Sequence, residues 1–493
     1  MKATRLLPLL LLAPLGLRAA APPPPNVIFI IADDMGYADM GTQGARGFKT
    51  PNLDRMAAEG TRFTQHYVAQ AVCTASRAGL MTGAYPNRLG MKGAYNHTSR
   101  DGMHEDEWLM PEMFRDRGYA TLGTGKWHLG TRLKFHPLRH GFDEWLGIPY
   151  SNDNTKYHPS LAAEMPPLPY YDGEKIIELD PDQSQFTQRS TARAIQFIER
   201  NAARPFFVYL PHIMPHVPIF ASEKFKGRSG AGLYGDVMEE LDWSVGEIFA
   251  TLKRLKLDER TLVIFMSDNG PFLSYGEHAG SALPLREGKL TVFEGGVRVP
   301  CLVRWPGRVP AGRVSKEPFM AIDWLPTLTE LVGGRPSTLK IDGRSAKGLL
   351  LGEAGAGSPH EALFFYSGTA LQAVRSGPWK LHFAHPYITV AGDPGRGGKP
   401  SNFGKIVPTS ITQSGVEGIA TRHGYRIEQL ELTLFNLDDD PSETRNVAAA
   451  HPDVVRWLST AADAIRLELG DSLRNVKGTG LRAPGFDSSP TGP

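Results

Sequence analysis

Hydrophobic and polar positions divide this chain into two kinds of segment. Asn26-Val27-Ile28-Phe29-Ile30-Ile31-Ala32, Pro205-Phe206-Phe207-Val208-Tyr209-Leu210 and Thr261-Leu262-Val263-Ile264-Phe265-Met266 are apolar almost without interruption. A strand with one wet face alternates, whereas one covered on both faces does not, so these three read as fully buried strands. Between the last two, Val237, Leu241, Val245, Ile248, Phe249 and Leu252 recur at helical spacing and predict an amphipathic helix over 236–255. A shorter helix is expected after Thr50-Pro51. Thr50 can cap it, Pro51 suits its first turn, Gly60 ends it, and Leu53, Met56 and Ala57 form its apolar stripe. Buried strands alternating with amphipathic helices predict an α/β fold over residues 26–350, a mostly parallel sheet sandwiched by helices.

The pattern weakens at the Gly/Ala-rich stretch 348–358, which reads as a linker. Beyond it, Ala373-Val374-Arg375 and Trp379-Lys380-Leu381-His382-Phe383 predict a hairpin around Gly377-Pro378. Leu434 to Leu437 adds a strand and Val454 to Leu469 a closing helix, giving a smaller C-terminal α+β domain over 360–475. Within it, Ala384 to Arg422 is rich in Gly, Pro, Ser and Thr and reads as a long loop, of the kind that often carries function. Residues 476–493 read as a flexible tail.

Charge excludes one class of partner. The 493 residues hold 54 basic and 52 acidic side chains, so the balance of +2 leaves no footprint for nucleic acid. At the N-terminus, Lys2 and Arg5 precede the apolar stretch Leu6–Leu15, followed by Ala19, Ala20 and Ala21. That order predicts a secretory signal over residues 1–21 and an exported protein, periplasmic or extracellular, or lysosomal in a eukaryotic host. An apolar run of about 10 residues is too short for a stable membrane anchor. Only two cysteines occur, Cys73 and Cys301. Cys301 sits in an apolar strand pattern and is expected to be a buried small side chain, not a disulfide partner of Cys73.

Candidate chemistry gathers where strands end. The first buried strand runs into Asp33-Asp34, and two adjacent carboxylates cannot both be buried without a cation. The third ends in Ser267-Asp268-Asn269-Gly270, a carboxylate beside an amide, although Asp-Asn-Gly is also an ordinary turn. In open α/β sheets, ligands bind outside the carboxyl ends of strands. An all-oxygen set there suits calcium or magnesium better than zinc. Cys73-Thr74-Ala75-Ser76-Arg77 places a guanidinium about one helical turn after a thiol, an arrangement suited to an anionic substrate at a helix N-terminus.

Taken in order, Ala32-Asp33-Asp34-Met35-Gly36-Tyr37, Cys73-Thr74-Ala75-Ser76-Arg77, Gly125-Lys126-Trp127-His128-Leu129-Gly130, Pro215-His216, Ser267-Asp268-Asn269-Gly270 and Lys289 before Phe293-Glu294-Gly295-Gly296-Val297-Arg298 make the chain resemble the formylglycine-dependent sulfatases, arylsulfatase-like members of the alkaline phosphatase superfamily. Leu434-Phe435-Asn436-Leu437-Asp438-Asp439-Asp440-Pro441 is similar to that family's closing segment. The resemblance implies an alkaline-phosphatase-like fold and a maturation enzyme that oxidises Cys73 to formylglycine. It implies one divalent cation, calcium before magnesium, on Asp33, Asp34, Asp268, Asn269 and the matured residue 73. It further implies that Arg77 supports the nucleophile, Lys126 stabilises charge beside it, His128 pairs with its second hydroxyl, and His216 and Lys289 contact the sulfate and leaving group. Ser151 and Asp153 match a polar segment near the sulfate. One position departs from the commoner motif: Ala75 stands where proline is usual. Expected partners are a maturation enzyme and a sulfated small molecule or glycan, a carbohydrate sulfate before an aryl sulfate. Two alternatives stay open: a phosphate or phosphonate monoester hydrolase, and a silent sulfated-glycan-binding protein.

Overall fold

The computed structural model describes residues 24–413 and 415–489, so the expected signal over 1–21 lies outside the described residues. The three apolar runs become the strands Asn26–Ala32, Phe206–Pro211 and Thr261–Ser267, and Asn26–Ala32 lies between the other two, parallel to both. Ala120–Lys126 and Glu144–Ile148 continue the parallel order beyond Phe206–Pro211. Antiparallel and shorter strands extend each side to an eleven-stranded sheet. Cys301 is buried in one of these, Arg298–Arg304, and neither cysteine is bridged.

The reason the runs do not alternate is visible in what each face meets. Val27, Phe29 and Ile31 pack with the helices Cys73–Thr82, Met110–Asp116 and Trp324–Val332. Ile28 and Ile30 pack with Pro51–Glu59, Phe186–Arg200 and Gly232–Arg254. Burying each such side chain stabilises by about 1.5–3 kcal/mol, and these strands are the frame on which costly charges are then hung.

The expected cap of the Pro51–Glu59 helix is corrected. Thr50 makes no side-chain cap; its Oγ1 accepts from the Gly41 N–H at 2.8 Å instead. The free N–H groups of Asn52 and Leu53 donate to the carboxylate of Asp242, 3.0 and 2.8 Å away, which comes from the Gly232–Arg254 helix. Satisfaction of a helix end is obligatory, but the acceptor that provides it need not be local.

The stretch expected to be a linker begins inside a helix, Lys347–Leu351, with Leu349 and Leu350 buried. Beyond it, Leu363–Ser367, Ala370–Ser376, Trp379–His382 and Thr433–Asn436 form an antiparallel sheet, and the helix Pro452–Leu469 packs on it. Two further expectations are corrected here. The stretch 384–422 is not a bare loop: His385–Val390 pairs with Tyr425–Leu430, and Gly415–His423 is a helix. The tail expected over 476–493 is not loose across 476–489. Gly485–Phe486 pairs with Asp101–Gly102, and Arg482 forms a two-pronged ion pair with Glu107 at 2.6 and 2.9 Å. Among the described residues no helix is long and apolar enough to cross a membrane.

Candidate active site

All five central parallel strands deliver a polar group just past their carboxyl ends: Asp33 and Asp34, Lys126 and His128, Ser151 and Asp153, His216, and Asp268 with Asn269. The Cys73–Thr82 helix adds Cys73 at its first position and Arg77 one turn on, and the segment before Phe293 adds Lys289. Every residue singled out in the sequence therefore meets in one place. Gly270 permits that approach, since a Cβ there would lie 1.8 Å from the Gly295 carbonyl oxygen. Asp34 and His128 have left-handed φ values of 67° and 62°, a strained backbone that polar site residues tolerate.

Three cations face three carboxylates. Lys126 Nζ lies 2.5 Å from Asp33 Oδ2, and Lys289 Nζ lies 2.8 Å from Asp34. Arg77 donates through Nε to Asp268 Oδ2 at 3.0 Å and through Nη1 to the Lys126 carbonyl at 2.9 Å, and its Nη2 lies in ion-pair contact with Asp268 Oδ2 at 2.9 Å. Cys73 Sγ sits between charges, 3.4 Å from Asp33 Oδ1 and 3.3 Å from Lys289 Nζ, and is only 1% exposed. Burial, with Asp33 adding to it, pushes the thiol far above its usual range, so as a plain cysteine it is no nucleophile here.

The histidines divide by tautomer. His128 Nε2 meets the Tyr95 carbonyl at 2.6 Å and must donate to it, which leaves a buried Nδ1 lone pair without a partner. Burial, then Lys126, keeps this ring neutral. His216 Nδ1 donates to the Val217 carbonyl, so Nε2 is an acceptor, 3.4 Å from Ser151 Oγ and 3.5 Å from Asp34. Burial, Lys289 and Lys126 hold its pKa down to about 3. Ser151 Oγ accepts in turn from Lys126 Nζ at 3.2 Å. Trp127 packs against Phe142 and Trp145, as a core side chain.

The residues fit a hard divalent cation. Ligand atoms of Asp33, Asp34, Cys73 and His216 lie within 4.8 Å of one another, and the buried Asn269 Oδ1 has no hydrogen-bond donor. Burial works against ionising Asp33, yet Lys126 and Arg77 hold it well below the usual carboxylate range. Asp34 is raised by burial, and burial with Asp33 pushes Asp268 up to about 6. The protein's own cations hold Asp33 ionised against burial, and a dication held here would favour the charged form of all three carboxylates.

Above these groups opens a cavity of about 470 Å³. Its walls include groups that no motif marked: Tyr95, Asn154, and from the C-terminal unit Gln372, Tyr387, Arg422 and His423. Only pairing and packing between distant segments brought the last four to the site.

Sheet, carboxyl-end site and buried cation cradle define an alkaline-phosphatase-like α/β hydrolase of anionic esters. The family model "Sulfatase" matches residues 25–334, and that for the C-terminal region of aryl-sulfatase matches 358–479. N-acetylgalactosamine-6-sulfatase of Canis lupus familiaris is 41% identical, covering 76% of this chain and 75% of its own length. Arylsulfatase A of Homo sapiens is 39% identical over 76% and 77%. A crystal structure of a sulfatase from Pseudoalteromonas sp. superposes with a TM-score of 0.76 at 26% identity, over 90% of each chain. The chain belongs to the sulfatase family and is a sulfuric ester hydrolase.

Proposed function

We propose that this chain hydrolyses sulfate monoesters of carbohydrates, using formylglycine matured from Cys73 and a divalent cation, calcium before magnesium, held by Asp33, Asp34, Asp268 and Asn269. The observation that carries the reading is Cys73 itself. Its side chain lines the cavity at a helix N-terminus, against Lys289 and Asp33, yet as a thiol it is held protonated. That environment is useful only to a different side chain at the same position. Relatives named for an N-acetylgalactosamine sulfate and a neighbour crystallised with a neocarrahexaose support a sugar as the alcohol.

The matured group supplies a hydroxyl nucleophile and a second hydroxyl through its hydrate, and the cation supplies Lewis acidity to the anionic ester. The chain's own residues do the rest. Lys126 and Lys289 lay positive charge on oxygens that gain it in the transition state. Lys289, held well above its usual pKa against burial chiefly by Asp34, is the protonated group beside the nucleophile. His128 offers its Nδ1 lone pair as base. Arg77 locks the position of Asp268 and of the Lys126 backbone. Ser151 orients His216, and Asp153, with Oδ1 taken by Asn154, keeps Oδ2 for a sugar hydroxyl. Residues 1–21 direct export. Burial of Cys73 means that its maturation enzyme reaches it before the fold closes.

The test is the mass of the tryptic peptide Phe63–Arg77 from the native host, with rates on matched sulfate and phosphate esters. An aldehyde in place of the thiol and faster sulfate release are expected. An intact thiol with no turnover favours a silent glycan binder, and faster phosphate release favours the phosphate hydrolase.

A further inference from the structure

Arg422 is buried, 7% exposed, at the end of the Gly415–His423 helix, and it lines the same cavity as Cys73. Its Nη1 donates to the carbonyls of Ser410 and Gln413, while its Nε is buried without a hydrogen-bond partner among the described residues. Among the described residues no carboxylate lies within ion-pair distance of this guanidinium. Arg77, Arg88, Arg304 and Arg466 are buried at least as deeply, and each is paired with an acid at 2.6–2.9 Å. Arg375 also lacks a carboxylate partner, but it does not line the cavity and commits its guanidinium to Tyr67, Gln65 and the Gly377 carbonyl.

A buried guanidinium without a counter-ion is unfavourable unless something supplies the charge. Its surroundings point the same way. His423 lines the cavity beside it, with Nδ1 tied to Tyr275 Oη at 2.9 Å. His158, 6.1 Å from the His423 ring, accepts at Nδ1 from the N–H groups of Ser160 and Leu161, so its buried Nε2 carries an unpartnered hydrogen. Asp153 is the acid whose field reaches Arg422, His158, His423 and His216 together, and it ties this cluster electrostatically to the sulfate end of the cavity.

We propose that Arg422, with His423 beside it, forms a second anion subsite in the substrate cavity. The enzyme then selects sulfate esters that carry another oxyanion, either a second sulfate or a uronate carboxylate, on the same or the neighbouring sugar. The proposal rests on the sulfate-ester reading of the Cys73 site.

The experiment compares kcat/KM of wild type, R422Q and R422K on four esters. They are 4-nitrophenyl sulfate, a monosulfated hexosamine, that sugar with a second sulfate, and that sugar linked to a uronate. Wild type is expected to prefer one of the doubly anionic esters by about 10- to 100-fold, the factor carried by a charge-assisted hydrogen bond. The ester preferred distinguishes sulfate from carboxylate. R422Q loses the preference while its rate on 4-nitrophenyl sulfate stays within about twofold, and R422K keeps part of the preference. Two results overturn the proposal. One is equal wild-type rates with and without the second anion, which decides the matter even if R422Q fails to fold. The other is an equal loss on all four esters in R422Q, which reduces Arg422 to a clamp on residues 410–413. No turnover of any sulfate ester by wild type is a different failure, and it removes the underlying reading as well.

Discussion

At Asp33 and Asp34, two neighbouring carboxylates acquire opposite tendencies from what faces them. Asp33 meets Lys126 and Arg77 and is held well below the usual carboxylate range, while Asp34 is pushed upward by burial and by Asp33, against Lys289 and Lys126. The doublet and Cys73 with Arg77 were legible because they fall at the end of a buried strand and in the ordered motifs that resemble the sulfatases. Arg422 was not legible, because nothing in its neighbours distinguishes it from a surface arginine. At this scale the sharpest prediction concerns Arg77, whose planar fork hydrogen-bonds Asp268 through Nε and the Lys126 carbonyl through Nη1 and adds an ion-pair contact to Asp268 through Nη2. A lysine keeps the charge but not the fork. Arg77→Lys is expected to lower kcat/KM at least about 100-fold while costing only about 1–3 kcal/mol of stability. Steady-state rates and urea denaturation of the same preparation check the split. A loss of stability with full activity would show that the fork is structural only.

Elements here are terminated and closed by partners far along the chain. The Pro51–Glu59 helix was expected to be capped by its own threonine and is capped by Asp242, about 190 positions away, because that acid stands on a helix already packed against it. Asp242→Ala leaves the Asn52 and Leu53 N–H groups without their acceptor, with an expected cost of about 1–2 kcal/mol. The denaturation midpoint should fall while kcat is unchanged, since Asp242 does not line the cavity. The stretch 384–422 looked like loop for the same reason. Pro386 and scattered glycines weaken the strand signal of His385–Val390, whose partner Tyr425–Leu430 lies beyond an intervening helix.

Across the whole molecule, the two sheets share one apolar core and a buried charge network. Lys380 Nζ lies 2.9 Å from Glu294 and 3.0 Å from Glu443, and His382 Nε2 lies 2.9 Å from Glu443. Burial opposes ionising Glu294, but Lys380, Arg375 and Arg298 hold it near 2, whereas burial and then the Glu294 charge, against Lys380, push Glu443 up to about 7. A raised carboxyl pKa means that the folded state binds the proton more tightly. Stability from this group is therefore full below about 4.5 and is lost as pH rises through about 7. Glu443→Gln should flatten that part of the stability–pH curve, measured by denaturation at stepped pH; an unchanged slope would assign it elsewhere. The proposed cation acts on the same scale. At one hundred times its Kd, calcium is expected to add about 2.7 kcal/mol. Chelation should remove stability and activity together, and calcium should restore both, as melting curves and rates will show.

What the sequence determined by itself was much of what local patterning governs, though not the cap expected at Thr50. Unbroken apolar runs specified buried parallel strands, because both faces need cover. Motifs at the ends of those strands placed candidate chemistry at the carboxyl edge where such sheets bind ligands, and their resemblance to the sulfatases pointed to its kind. Tertiary structure alone decided which distant segments meet. It set Asp242 on a helix end, His385–Val390 against Tyr425–Leu430, Gly485–Phe486 across Asp101–Gly102, and Arg422 and His423 into the cavity wall. Those placements depend on long-range pairing and packing, in which no single stretch of sequence carries both partners.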